Sequence, residues 1–175
     1  MRAARSGWLD FVASEADVDA VTERLGRSPA GRFDVVVRDG AGQPMVIRNA
    51  PLLDDGTPMP TMFWLVDPAL CRAVGRLEST GGVRAAEAAL PPEAIADAHR
   101  RYRVLRDALV PPDHDGPVPA GGVGGTRTGV KCLHAHLAWW LAGGDDPVGA
   151  RVAAELGLEQ PPNPARARTR CCPGV

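Results

Sequence analysis

The chain has 175 residues and a formal net charge of −1, and 45% of its residues are hydrophobic. That length suits one domain, able to bury about 70% of the surface its unfolded form exposes, with no disulfide or metal staple required. The near-neutral balance lacks the basic excess of a nucleic-acid binder, and no run reaches the roughly 18 apolar residues of a membrane span, so neither nucleic acid nor membrane insertion is expected.

The N-terminal MRAARSGWLDFVASEADV has acidic residues where a signal peptide would be apolar, so the expected location is cytoplasmic, with residues 1–13 as an extension. Ser14 followed by Asp17 resembles a capping box, Val18, Val21 and Leu25 recur at helical spacing, and Gly26 offers a stop, which predicts a helix over 14–25. FDVVVR and PMVIRN, separated by DGAGQ, read as a β-hairpin. TMFWLV at 61–66 is apolar at nearly every position, as in a strand covered on both faces.

Asp67 is placed as an N-cap with Pro68 behind it, and Leu70, Val74 and Leu77 share a face of a helix that Gly81 and Gly82 end. A short helix over 83–90 is followed by a longer one from Pro91 and Pro92 to about Leu109. Its expected apolar stripe is Ile95, Tyr102, Leu105 and Leu109, with His99 on the same side in a structural role and Arg100, Arg101, Arg103 and Arg106 on a solvated face. A Gly/Pro-rich loop of twenty residues then leads to a helix over 130–142. A last helix runs from Pro147 to about Leu156, and residues 157–175 are expected to be a disordered tail. The expected fold is a single α+β domain over 14–156, a small three-stranded, mostly antiparallel sheet packed by about five helices.

The segment GGTRTGVKCLHAH, residues 124–136, concentrates the chemistry. A nucleotide-binding phosphate loop needs G-x-x-x-x-G-K-[ST] after a buried strand; here Val130 precedes Lys131, Cys132 stands where the hydroxyl should be, and no strand leads in. A weaker expectation survives: Gly125, Arg127, Gly129 and Lys131 run into a helix N-terminus, whose free N–H groups favour an anion. On a helix already formed at Cys132, His134 points inward with Val130, Leu133, Leu137, Trp140 and Leu141, while Cys132 pairs with His136 and Trp139. That phase separates Cys132 from His134, so no metal ligand is assigned, and Cys132 is read as a small buried thiol. Cysteine usage argues against a disulfide framework: Cys71 and Cys132 lie in ordered-looking segments, and Cys171 and Cys172 in the tail.

LGRSPAGRF, APLLDDGTPMPTMFWLVDPAL, GRLESTGGV and GVKCLHAHLAWWLAGGDDPVG, in that order, resemble the domain-of-unknown-function family 501, small proteins of actinobacterial type, over about residues 18–155. The resemblance implies no established activity, and a gene neighbourhood that hints at cell division or phosphate metabolism. It also implies that positions matching Asp39 and Asp67 are often Cys, or His at the second, and that Trp139 often matches a His. Aspartate can still hold a hard ion, whereas Trp139 cannot ligate.

The functional expectation is a non-catalytic binder of a small anion or an acidic protein partner, without cofactor or catalytic residue, using the glycine-rich loop. The alternative is a metal- or cysteine-dependent enzyme centred on Cys132 and His134. A candidate cleft gathers Asp55, Thr57, Asp67, Cys132 and His134; the deciding observation is whether these, with Asp39, converge.

Overall fold

In the computed structural model, which describes residues 11–159, Ser14 opens the first helix α1 (Glu15–Leu25) as its cap. The Asp17 N–H donates to Ser14 Oγ at 3.2 Å, and the Ser14 hydroxyl donates back to the Asp17 carboxylate at 2.9 Å. Most of the expected extension and tail, Cys171 and Cys172 included, lies outside the described residues. Phe11 is buried, with the Arg48 guanidinium 4.8 Å from its ring centre.

The sheet follows as β1 (Phe33–Arg38), β2 (Pro44–Asn49) and β3 (Phe63–Leu65), wholly antiparallel in the order β1-β2-β3. One face carries Phe33, Val35, Ile47 and Trp64 against Val21 of α1; the other carries Val37, Val46, Phe63 and Leu65 into the main core. Val35 and Val37 are two residues apart and would share a face in a regular strand. They do not, because Val35 opposes Ile47 while Val37 opposes Val46, so Val36 is the extra residue of a β-bulge. That bulge lets one short strand feed both faces. The expected strand 61–66 is shorter than anticipated, although ladder-like bonds continue at its flanks, from Asn49 N–H to Met62 O at 2.7 Å and from Val66 N–H to Met45 O at 2.9 Å.

Asp67 caps α2 (Pro68–Ser79), accepting from the Leu70 N–H at 2.8 Å, and α3 (Gly82–Ala89) and α4 (Pro92–Asp107) follow. A 3₁₀ turn at Val123–Gly125 precedes α5 (Leu133–Leu141) and α6 (Pro147–Glu155). The sheet is thus layered between α1 on one side and α5, packed on β3, on the other. None of these helices is long and apolar enough to cross a membrane.

Two expectations about α4 are corrected. Leu105 is half exposed, and the buried stripe is Ile95, Ala98, His99, Tyr102 and Arg106. Arg106, expected on the solvated face, is wholly enclosed: its guanidinium donates to the carbonyls of Pro60, Pro119, Ala120 and Gly121 and to the Asp107 carboxylate. Four carbonyls need such a donor because the loop lacks secondary structure to satisfy them. His99 does the same work two turns earlier, its Nδ1 accepting from Val123 N–H at 3.0 Å and its Nε2–H donating to Gly129 O at 2.9 Å. Gly122 is required there, since a Cβ would stand 2.4 Å from the His99 ring. The long loop is therefore tied to α4 at several points.

Candidate functional site

The site begins where α5 starts later than its apolar pattern suggests. Cys132 is extended, at φ −152° and ψ 117°, and serves as the N-cap position without a side-chain cap bond. The first helical donor is met from afar instead, Leu133 N–H donating to Glu78 Oε1 at 2.6 Å, and in the segment leading in Val130 N–H donates to Glu87 Oε1 at 2.6 Å. An anion was expected at this helix start; the chain's own Glu78 carboxylate accepts from its first N–H. Arg127 and Lys131 are exposed, Gly125 and Gly129 are half-buried, and Gly129 has a left-handed φ of 65° that places the Glu87 carboxylate against its backbone.

Because Cys132 precedes the helix, it does not share a face with His136; Leu133, Leu137 and Leu141 are buried as expected, and the misplaced member is His134. His134, assigned to the core, is half-buried at the surface, while His136, Trp139 and Ala138 are buried. His136 makes a 2.7 Å contact to the Asp146 carboxylate that caps α6, and its Nε2 has no hydrogen-bond partner among the described residues. Cys132 does not pair with His136. Its Sγ lies 3.9 Å from His134 Nδ1, and Glu78 Oε1 lies 3.2 Å from that same nitrogen.

One thiol, one imidazole and one carboxylate therefore converge, their ligand atoms all within 4.8 Å of one another. His134 Nε2 is 3.1 Å from the Cys71 carbonyl, which can only accept, so Nε2 carries a proton and a neutral ring presents the bare Nδ1 lone pair to Cys132 and Glu78. The neighbouring Cys132, the Cys71 carbonyl and Glu78 outweigh burial and push His134 up to about 9, so near neutral pH a cation must displace the Nδ1 proton to use that nitrogen. Burial, and the neighbouring Asp67 charge behind it, push the Cys71 thiol up, and it donates to Leu65 O at 3.4 Å. Beside the cluster lies a pocket of about 290 Å³ walled by Phe63, Trp64, Leu65 and Ala135, with Thr61, Cys132 and His134 completing its lining.

The remaining members of the expected cleft are held elsewhere. Asp55 accepts from the Thr57 N–H within an exposed turn, which keeps its carboxyl below the usual range. Asp67 caps α2 and pairs with Arg24 at 3.3 Å, and Asp39 closes the hairpin turn through the Ala41 and Gln43 N–H groups. Glu78 was not anticipated. It lies one turn beyond Val74 on the face that α2 buries, and a carboxylate at that position was the available signal.

The fold and this cluster define an α+β domain with one three-stranded antiparallel sheet and a Cys/His/Glu centre where α2 meets α5. The family model described as "Protein of unknown function (DUF501)" matches residues 35–154, a span that contains all three cluster residues, and the chain belongs to that family. No curated protein and no solved structure matches it.

Proposed function

We propose that the chain binds a zinc-like divalent cation through Cys132, His134 and Glu78 and uses the fourth, open position for chemistry on a small ligand. The observation that carries this is the orientation of His134: its Nε2–H is spent on a backbone carbonyl, and its Nδ1 faces a thiol and a carboxylate at 3.9 and 3.2 Å. Metal-bound histidines commonly donate their other ring N–H in this way. Donors on one tetrahedral zinc sit about 3.3–3.6 Å apart, given bond lengths of about 2.0–2.3 Å, so the cluster needs only small adjustments. Three protein ligands and one free position is the composition of catalytic zinc centres, where the ion activates water or polarises a carbonyl.

This reading is preferred to the expected anion binder, because Glu78 already accepts from the first N–H of the helix start. A reducing, cytoplasmic setting belongs to the proposal, since it keeps Cys132 available as a thiolate ligand. Cobalt titration tests it. One Co²⁺ per chain with a sulfur-to-cobalt charge-transfer band, lost in Cys132→Ala and weakened at least tenfold in Glu78→Gln, is expected. Absence of the band from the folded wild-type protein refutes cation binding at this centre.

The 3.9 Å approach of Cys132 to His134 also fits an imidazole-activated thiol, the second reading. It requires Cys132 to be alkylated by iodoacetamide well above the rate of free cysteine at neutral pH, and to lose that excess in His134→Ala.

A further inference from the structure

The pocket beside the cluster narrows the choice of ligand. Its walls are Phe63, Trp64, Leu65 and Ala135, with Thr61 the one polar wall besides the two candidate ligands, and no charged side chain other than His134 reaches it. A charged group placed against these walls gains no ion pair from Phe63, Trp64, Leu65 or Ala135 and gives up part of its hydration, so an apolar group is favoured there. The thiolate and carboxylate would also neutralise a bound dication, leaving little net positive charge to attract an anion. At about 290 Å³ the pocket lies at the small end of ligand sites, so it accepts a fragment-sized group.

We propose that the open position holds water, that a small, uncharged acyl compound, an ester or amide, binds with its carbonyl beside that water and its short apolar acyl chain in this pocket, and that the reaction is hydrolysis. Water held at the open position forms a C–O bond to the carbonyl carbon, the bond to the leaving group breaks, and that group departs with one proton from the water. The products are a carboxylic acid and an alcohol or amine, so no oxidant or co-reactant is consumed. Phosphate esters are excluded as substrates by the same wall chemistry. The inference rests on the cation-binding reading and adds the substrate class to it.

The experiment uses the full chain loaded with zinc, its metal content measured first, against p-nitrophenyl acetate, p-nitrophenyl butyrate and p-nitrophenyl phosphate. The expected result is zinc-dependent ester hydrolysis, with kcat/KM for butyrate about tenfold above acetate, as buried methylenes give, and phosphate at background. Ala135→Leu, which fills the pocket without removing a ligand, is expected to erase the butyrate preference while retaining zinc. Bound zinc with no ester turnover, with phosphate the better substrate, or with acetate and butyrate turned over equally overturns the substrate class alone. Failure to bind zinc overturns the cation reading and this inference with it, and the metal measurement separates the two cases. The chain-length comparison is made on the unaltered protein, so it decides the matter even if Ala135→Leu fails to fold.

Discussion

At the scale of single residues, buried polar groups on α4 do the work usually left to apolar ones. Arg106 is fully enclosed, and removing its guanidinium leaves four carbonyls without the donor they share. Arg106→Ala is expected to cost about 3–5 kcal/mol, the range for breaking a buried charged network, read from the urea midpoint. His99 gives a pH signature. Burial holds its imidazole below the ordinary 6.5 despite the Gly129 carbonyl, and its Nδ1 must stay bare to accept from Val123. A base whose folded pKa is depressed lends stability above the unfolded value and loses it as pH falls. The wild-type midpoint should therefore decline below about pH 6.5 more steeply than that of His99→Gln, and parallel slopes would refute the assignment.

Helices and strands show where local pattern suffices. The hairpin, the Ser14 and Asp67 caps and the Pro147 helix start were legible because each is written in adjacent residues. Arg106 was missed although it falls in phase with His99 and Tyr102, because the search for a stripe admitted Leu105 on residue type alone. His134 was misplaced within α5 for a different reason: a helix buried on nearly every side has no polar face from which to tell its exposed member. Its late start was invisible too, since the carboxylate that satisfies its first N–H comes from α2. In α6, Asp146 Oδ1 accepts from the Val148 and Gly149 N–H groups while Oδ2 faces His136. Asp146→Ala should lose about 1–2 kcal/mol for the cap and a further 1–3 or so for the stranded imidazole. Asp146→Asn, which keeps the cap acceptor, should lose less, and equal midpoints for the two variants would show that the cap contributes nothing.

Over the whole molecule, the candidate centre joins α2 to the start of α5 beneath the sheet edge, so a cation there favours the folded chain over the unfolded one. Free zinc at 100 times its dissociation constant should add about 2.7 kcal/mol of stability, seen as a concentration-dependent rise in melting temperature. Cys132→Ala should melt at the same temperature with and without zinc; a rise equal to wild type would place the cation elsewhere. The cluster itself was only half legible. Cys132 and His134 stood side by side in the sequence, but their convergence with Glu78 depends on tertiary docking that no local spacing encodes.

Glu78 and the Leu133 amide it holds are separated by 55 positions along the chain. During synthesis the carboxylate leaves the ribosome well before the thiol and imidazole, and an emerging polypeptide that stops short of Cys132 offers an ion one donor instead of three. A cation held by all three groups would therefore recognise only a chain in which these distant segments have already docked.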